Sequence, residues 1–368
     1  MNPAPVFYSL CSHECEHGTS VKYVAHALLR AASPLMATLG FSSQRSHECE
    51  RGTLRTFATG LLRAIPILVS TLGLINASTF YVTVAGLGGE PDYEQRFASQ
   101  AQEIDKLLHA SSTDAKVTTL YGAQATKTAV QNALAQVAHS AKPDDSLVLM
   151  LIGHGSFDGY EYKINLPGPD LTGVELGALL DRIPCTRQLV VNMTSASGGS
   201  RAALEKPSRI VITATKSGNE KNATVFARFW VEALRDPAAD TDKNETVSAL
   251  EAFNYASAKT AEFYDTQKRL ATEHPILEDT GQGDGERKPS PENGEGLKAA
   301  QFALLRIGAA QQAASTPEKK ALLEKRDQLE EQIDKLKYEK AAMAADDYNK
   351  QLRDLLLQLA KTQAELDK

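Results

Sequence analysis

Residues 146–156 read SLVLMLIGHGS, and residues 188–199 read QLVVNMTSASGG. Each begins as a short apolar, β-branched run and ends in small residues around a chemically active one. Runs of this kind, apolar on both faces, predict strands buried on both sides of a parallel sheet. The same character recurs at Thr79–Ala85, Lys116–Tyr121 and Arg209–Thr213. Helical patterns lie between these runs at about 91–110, 124–140, 172–183 and 223–235. Strands alternating with helices predict an α/β fold with a mostly parallel sheet and helices on both faces. In such sheets ligands bind beyond the carboxyl ends of the strands. Function is therefore sought just after each run.

Two strand ends carry chemistry. The run at 146–152 is followed by Gly153-His154-Gly155-Ser156, and the run at 188–192 by Met193-Thr194-Ser195-Ala196-Ser197-Gly198. A histidine between glycines is accessible to an approaching backbone. A turn of small residues can present a nucleophile. Nucleophilic catalysis needs that pairing, a hydroxyl or thiol beside an imidazole, with backbone N–H groups for the oxyanion.

These two strand ends resemble the caspase-like cysteine peptidases, and the legumain branch most. There a His-Gly closes one strand and Glu-Ala-Cys-x-Ser-Gly follows the next. The resemblance covers residues 78–310 and implies a caspase-like three-layer α/β sandwich. It implies His154 as general base, Ser195 at the nucleophile position, and the N–H groups of Gly155 and Ser195 as the oxyanion hole. It also implies a protein or peptide as substrate or partner. The departure is the nucleophile, since serine stands where the family has cysteine. Cys185 is no substitute. It precedes its strand, and an extended chain between it and Ser195 spans roughly 25–30 Å. A serine hydroxyl also needs stronger base assistance than a thiol. Asp158 is the nearby carboxylate that would orient His154 in a serine-type triad. Three readings stay open: a peptidase homologue without cysteine-peptidase activity, an active hydrolase using a His154/Ser195 dyad, or an introduced Cys-to-Ser exchange.

Residues 240–251 read DTDKNETVSALE. Oxygen donors fall at the positions an EF-hand loop uses for Ca2+: Asp240, Asp242, Asn244, the carbonyl of Thr246, Ser248 and the carboxylate of Glu251. Position 6 of such loops takes positive φ and is normally glycine; here it is Glu245. The competing reading is a polar loop whose serine caps the following helix. A second acidic turn, with Glu278, Asp279, Asp284 and Glu286 among glycines, lacks that spacing. It runs into a surface loop at 288–296. His274 reads as structural. Residues 299–307 read as a last strand or a short helix.

From Thr316-Pro317-Glu318, a helix start signal, the chain is charged and amphipathic. Leu322, Leu329, Leu336 and Met343 recur every seven residues, and a second stripe includes Leu352, Leu355, Leu356 and Leu359. The segment 316–368 predicts a helical hairpin or a coiled coil, with self-association or bracing of the α/β domain as its role.

The N-terminal residues 1–77 contain one segment twice, beginning at Ser12 and again at Ser46. Two copies are too few to stack a repeat core. The second copy has Arg51, Arg55 and Arg63, then the apolar run AIPILVSTLGLINA. That order is a secretory signal with cleavage near Ala77. It predicts export to the periplasm or medium and no stable membrane span after cleavage, with an uncleaved anchor or a later start at Met36 as alternatives. Cys11, Cys15, Cys49, His13, His17 and His47 would be zinc ligands on another reading. The net charge of −6, from 40 basic and 46 acidic residues, argues against nucleic acid as a partner. Four cysteines in 368 residues are too few for a disulfide scaffold.

Overall fold

The computed structural model describes residues 77–111, 115–313 and 316–368. The duplicated segment, its Cys/His pairs and the signal reading lie outside the described residues, except for Ala77 at the expected cleavage site.

The strands are β1 (Thr79–Ala85), β2 (Lys116–Leu120), β3 (Ser146–Ile152), β4 (Gly155–Phe157), β5 (Tyr162–Ile164), β6 (Leu171–Thr172), β7 (Arg187–Asn192), β8 (Arg209–Thr213), β9 (Thr246–Ser248), β10 (Ile276–Glu278) and β11 (Ala303–Arg306). The helices are α1 (Pro91–Ser111), α2 (Lys127–Ser140), α3 (Gly173–Leu180), α4 (Arg201–Leu204), α5 (Phe226–Ala233), α6 (Ala249–Thr266), α7 (Leu297–Ala300), α8 (Gly308–Ala313), α9 (Pro317–Glu339) and α10 (Ala345–Leu366). The central sheet has the order β10-β8-β7-β3-β1-β2. All pairs are parallel except β10 with β8, which is antiparallel.

Alternate residues of each strand enter different layers. Val82, Leu149, Val190 and Val211 lie in one row across four strands and pack on one face. Val130, Leu134 and Val137 of α2 and Leu176 and Leu180 of α3 cover them. Tyr81, Met150, Val191 and Ile212 face the other way, against Phe97, Ile104 and Leu108 of α1 and Phe226, Trp230 and Phe253 of α5 and α6. This is a three-layer α/β sandwich with a mostly parallel sheet, as the alternation of runs predicts. Full burial of each such side chain contributes about 1.5–3 kcal/mol.

Local signals set the helix starts. Thr126 caps α2 by accepting from Ala129 N–H at 3.2 Å, so the helix begins after 126, and residues 122–124 form a separate 3₁₀ turn. Thr172 and Glu175 cap α3 reciprocally. The small antiparallel sheet β4-β5-β6 has no strong sequence signal because its strands are only two or three residues long. Residues 299–307 divide between the end of α7 and β11, which pairs antiparallel with β9.

The tail is a hairpin. Lys319 Nζ, at the start of α9, donates to the Leu366 carbonyl at the end of α10, so the helices run antiparallel. One continuous coiled-coil helix is ruled out by the break at 340–344. Leu329, Ile333 and Leu336 of α9 are buried. Tyr338 Oη donates to the Glu295 carbonyl at 2.7 Å and Gln301 Nε2 to the Glu331 carbonyl at 3.0 Å, so α9 braces the α/β layers.

Candidate functional site

β3 and β7 are neighbours, with Leu151 opposite Asn192. Their ends therefore bring His154 and Ser195 to one edge of the sheet. Ser195 is 2% exposed. Its Oγ accepts from Gly155 N–H at 3.0 Å and donates to the Gly155 carbonyl at 3.0 Å. Among the described residues no hydrogen bond joins His154 to Ser195. One of the two N–H groups expected to bind an oxyanion, that of Gly155, is thus taken by the Ser195 hydroxyl.

Gly155 is required sterically. A Cβ there would lie 2.5 Å from the Ser195 carbonyl oxygen and 2.7 Å from the Tyr162 ring. The turn after β7 is held by a buried polar network. Tyr162 Oη contacts Thr194 Oγ1 at 2.6 Å, and Asn192 Nδ2 donates to Ser200 Oγ at 3.0 Å. Gly198 N–H donates to Thr215 Oγ1 at 2.8 Å. Ala196 takes the left-handed conformation with φ 53° and gives its N–H to the Glu220 carbonyl at 2.8 Å. Glu220 is in turn bound to His274, Nδ1 to Oε1 at 2.5 Å. His274 is therefore structural in the expected sense, and the residue it supports holds the Ser195 turn.

His154 lies edge-on against Tyr93 and Phe97 of α1, with ring centroids 4.8 and 5.2 Å away. Burial pulls its imidazole below the usual histidine range, and Arg96 adds to that, while the Gly88 carbonyl and Glu90 oppose it. That direction favours the neutral imidazole over the imidazolium. Asp158 does not orient it. Its fully exposed carboxylate accepts from Tyr160 and Glu161 N–H at 2.9 Å within its own turn, and those bonds hold it below the usual carboxylate range. Sequence reading missed the Tyr93–Arg96–Phe97 face of α1. The i, i+3, i+4 spacing signals one helix face but not that it backs His154. Cys185 sits before β7, at the opposite strand end from Ser195. It is free and buried, and burial pushes its thiol up to about 11.

The second cluster is at 240–251. Carboxylate oxygens of Asp240, Asp242 and Glu251 lie within 4.8 Å of one another. Burial, then Glu251, pushes Asp242 up to about 6. Glu245 has φ 61°, the left-handed conformation that an EF-hand loop needs at position 6. Other expected donors are engaged elsewhere. Asn244 Oδ1 accepts from Thr246 N–H at 2.8 Å, while its Nδ2 donates to Glu330 of α9 at 3.0 Å. Ser248 caps α6, its Oγ accepting from Glu251 N–H at 3.2 Å while Glu251 Oε2 accepts back from Ser248. A cavity of about 600 Å³ opens between this loop and the hairpin, with Asp242, Glu251, Glu330 and Leu356 in its wall. The donors are all oxygen, which fits a hard cation such as Ca2+.

No family model matches this chain, and no curated protein matches it. Among solved structures, the initiator caspase Dronc of Drosophila is similar at 9% identity and TM-score 0.37, covering 57% of this chain and 81% of that one. A structural-genomics protein of Geobacter sulfurreducens is similar at 15% identity and TM-score 0.36, covering 55% and 92%. The structure of pro-sf-caspase-1 is similar at 10% identity and TM-score 0.40, covering 56% and 92%. No described helix is long and apolar enough to cross a membrane.

Proposed function

We propose that this chain is an exported caspase- or legumain-like peptidase homologue that lacks cysteine-peptidase activity and serves as a protein- or peptide-binding scaffold, with Ca2+ held at 240–251. The observation that carries the reading is the double hydrogen bond between Ser195 and Gly155. A hydroxyl that already donates to one backbone carbonyl, and occupies one of the two N–H groups an oxyanion would need, is poorly placed to attack. The absence of an orienting carboxylate at Asp158 supports the same reading, because a serine needs that assistance more than a thiol does.

A serine-directed fluorophosphonate tests it. The expected result is no adduct at Ser195 in the presence or absence of Ca2+. An adduct that disappears in His154→Ala would overturn the reading in favour of a His154/Ser195 hydrolase. Ser195→Cys probes the ancestry. Cleavage of a peptide library by that variant marks a disarmed peptidase, and an inert variant marks a scaffold whose substrate groove has gone as well.

A further inference from the structure

The Ser195 turn is wrapped by the segment between β8 and α5, residues 214–225. Thr215 N–H donates to Ser197 Oγ at 3.1 Å, and Thr215 Oγ1 accepts from Gly198 N–H at 2.8 Å. Thr224 Oγ1 donates to the Met193 carbonyl at 2.6 Å. Between these contacts the Glu220 carbonyl accepts from Ala196 N–H at 2.8 Å. Ala196 follows Ser195 directly and has φ 53°, a conformation that costs any residue with a Cβ. Glu220 therefore bonds the most strained residue of the turn.

The wrapping segment is itself pinned by two adjacent residues on the approach to β10. His274 Nδ1 lies 2.5 Å from Glu220 Oε1, and His274 N–H donates to Glu220 Oε2 at 3.2 Å. Both side chains are largely buried, His274 at 22% and Glu220 at 12% exposure. Glu273 pins the far end, accepting from Val225 and Phe226 N–H, and Tyr264 Oη of α6 donates to it. One more charge faces Glu220, from its own loop. Lys216 Nζ is 4.0 Å from Oε1 on a half-exposed side chain, and Lys216 N–H donates to Oε2 at 2.9 Å.

Rising pH acts on this contact twice in the same sense. Histidine is the side chain that changes charge between pH 5 and 8. With an imidazolium the 2.5 Å contact is an ion pair, and with a neutral ring it is a hydrogen bond from Nδ1–H. Glu273 is pushed up to about 7, by burial first and with Glu220 adding to the rise. Below that pH Glu273 is neutral, and above it a second anion acts on the Glu220 carboxylate. Positive charge leaves and negative charge arrives where few waters screen either.

We propose that Glu220, His274 and Glu273 form a pH-sensitive latch on the Ser195 turn. In mildly acidic solution the latch holds Ala196, and above neutral pH it loosens the turn while the sheet beneath stays closed. The latch governs the order of the turn whether Ser195 binds or attacks, so it stands apart from the reading of that residue.

Hydrogen exchange of the full chain, followed by mass spectrometry and corrected for intrinsic rates, tests it at pH 5.5 and 8.0. Protection in a peptide spanning 193–200 is expected to fall severalfold at the higher pH, with that of a peptide spanning β3 unchanged. Glu273→Gln/His274→Gln is expected to abolish the step. Equal protection at the two pH values, a parallel loss in β3, or a step that survives in the double variant overturns the proposal. A second readout needs no variant. Lys221 is exposed in the wrapping segment. Tryptic cleavage after Lys221, normalised to a free lysyl reporter peptide in the same tube, is expected to quicken severalfold from pH 6 to pH 8. A constant ratio overturns the latch.

Discussion

Ser195 Oγ and the backbone of Gly155 exchange two hydrogen bonds, each 3.0 Å long, across the ends of β7 and β3. The hydroxyl acts as a clasp between two central strands. A nucleophile kept for chemistry is usually dispensable for folding, and a clasp is not. Ser195→Ala is therefore expected to destabilise the protein by about 1–3 kcal/mol, the cost of leaving two backbone groups without their partner. Denaturant unfolding measures it. A variant as stable as the wild type would return Ser195 to the role of a catalytic group.

Arg209 begins β8 and is 2% exposed. Its Nε donates to Gln188 Oε1 at 3.0 Å, Nη1 to the Leu204 carbonyl at 2.7 Å, and Nη2 to Asp181 Oδ1 at 2.9 Å. Gln188 in turn ties the 180–185 turn through three carbonyls. Burial pulls the guanidinium pKa down and Asp181 opposes it. Arg209→Ala breaks this network from its centre and takes the donor from Gln188 Oε1 and from the Leu204 carbonyl, so a loss of about 3–5 kcal/mol is expected. Asp181→Asn keeps an acceptor at a half-exposed position and should cost under about 1 kcal/mol. Thermal melts of the two variants separate these outcomes.

The apolar runs at 79–85, 146–152, 188–192 and 209–213 were legible because buried parallel strands leave no polar face to disguise them. The hairpin was legible from its two leucine stripes. The site was legible only as positions. His-Gly and Ser-Gly name the strand ends, but the partner of the Ser195 hydroxyl depends on the register of β3 against β7. Asp158 looked well placed in sequence, four residues after His154, yet those residues turn into β5 and carry the carboxylate to the surface. Arg209 gave no signal at all, since a single arginine at the start of a strand reads as a solvated end.

The loop at 240–251 carries a ligand-linked prediction. Ca2+ that binds the folded chain alone raises its stability by about 2.7 kcal/mol at a hundredfold excess over the dissociation constant. The wild-type melting temperature should be higher in millimolar CaCl2 than in chelator, and Asp240→Asn should reduce that difference. Asp240 also accepts from Asn244 and Glu245 N–H at 3.1 and 3.0 Å, and asparagine keeps one acceptor for them. A calcium-induced rise of equal size in the variant and the wild type would dissociate the loop from the ion.

Glu273 gives the clearest pH prediction. It is 2% exposed, and its carboxylate accepts from Val225 N–H at 2.7 Å, Phe226 N–H at 3.2 Å and Tyr264 Oη at 3.0 Å, clamping the start of α5. Burial raises its pKa more than these donors lower it, and Glu220 adds to the rise, so the group is pushed up to about 7. In the unfolded chain the same carboxyl titrates near 4.3, as a free glutamate does. Between those pH values the folded state holds a proton that the unfolded state has released, so stability falls as pH rises. The contribution is fully present below about pH 4, and it is lost as the pH passes through about 7. At its largest it is roughly 4 kcal/mol, from 1.36 kcal/mol for each unit of displacement. Glu273→Gln retains an oxygen for the α5 N–H groups but cannot ionise. The stability difference between wild type and variant, measured by urea unfolding, should therefore shrink or reverse between pH 4.5 and 7.5 in favour of the glutamine. Parallel curves across that range would show that Glu273 is already ionised in the fold, its three donors outweighing its burial.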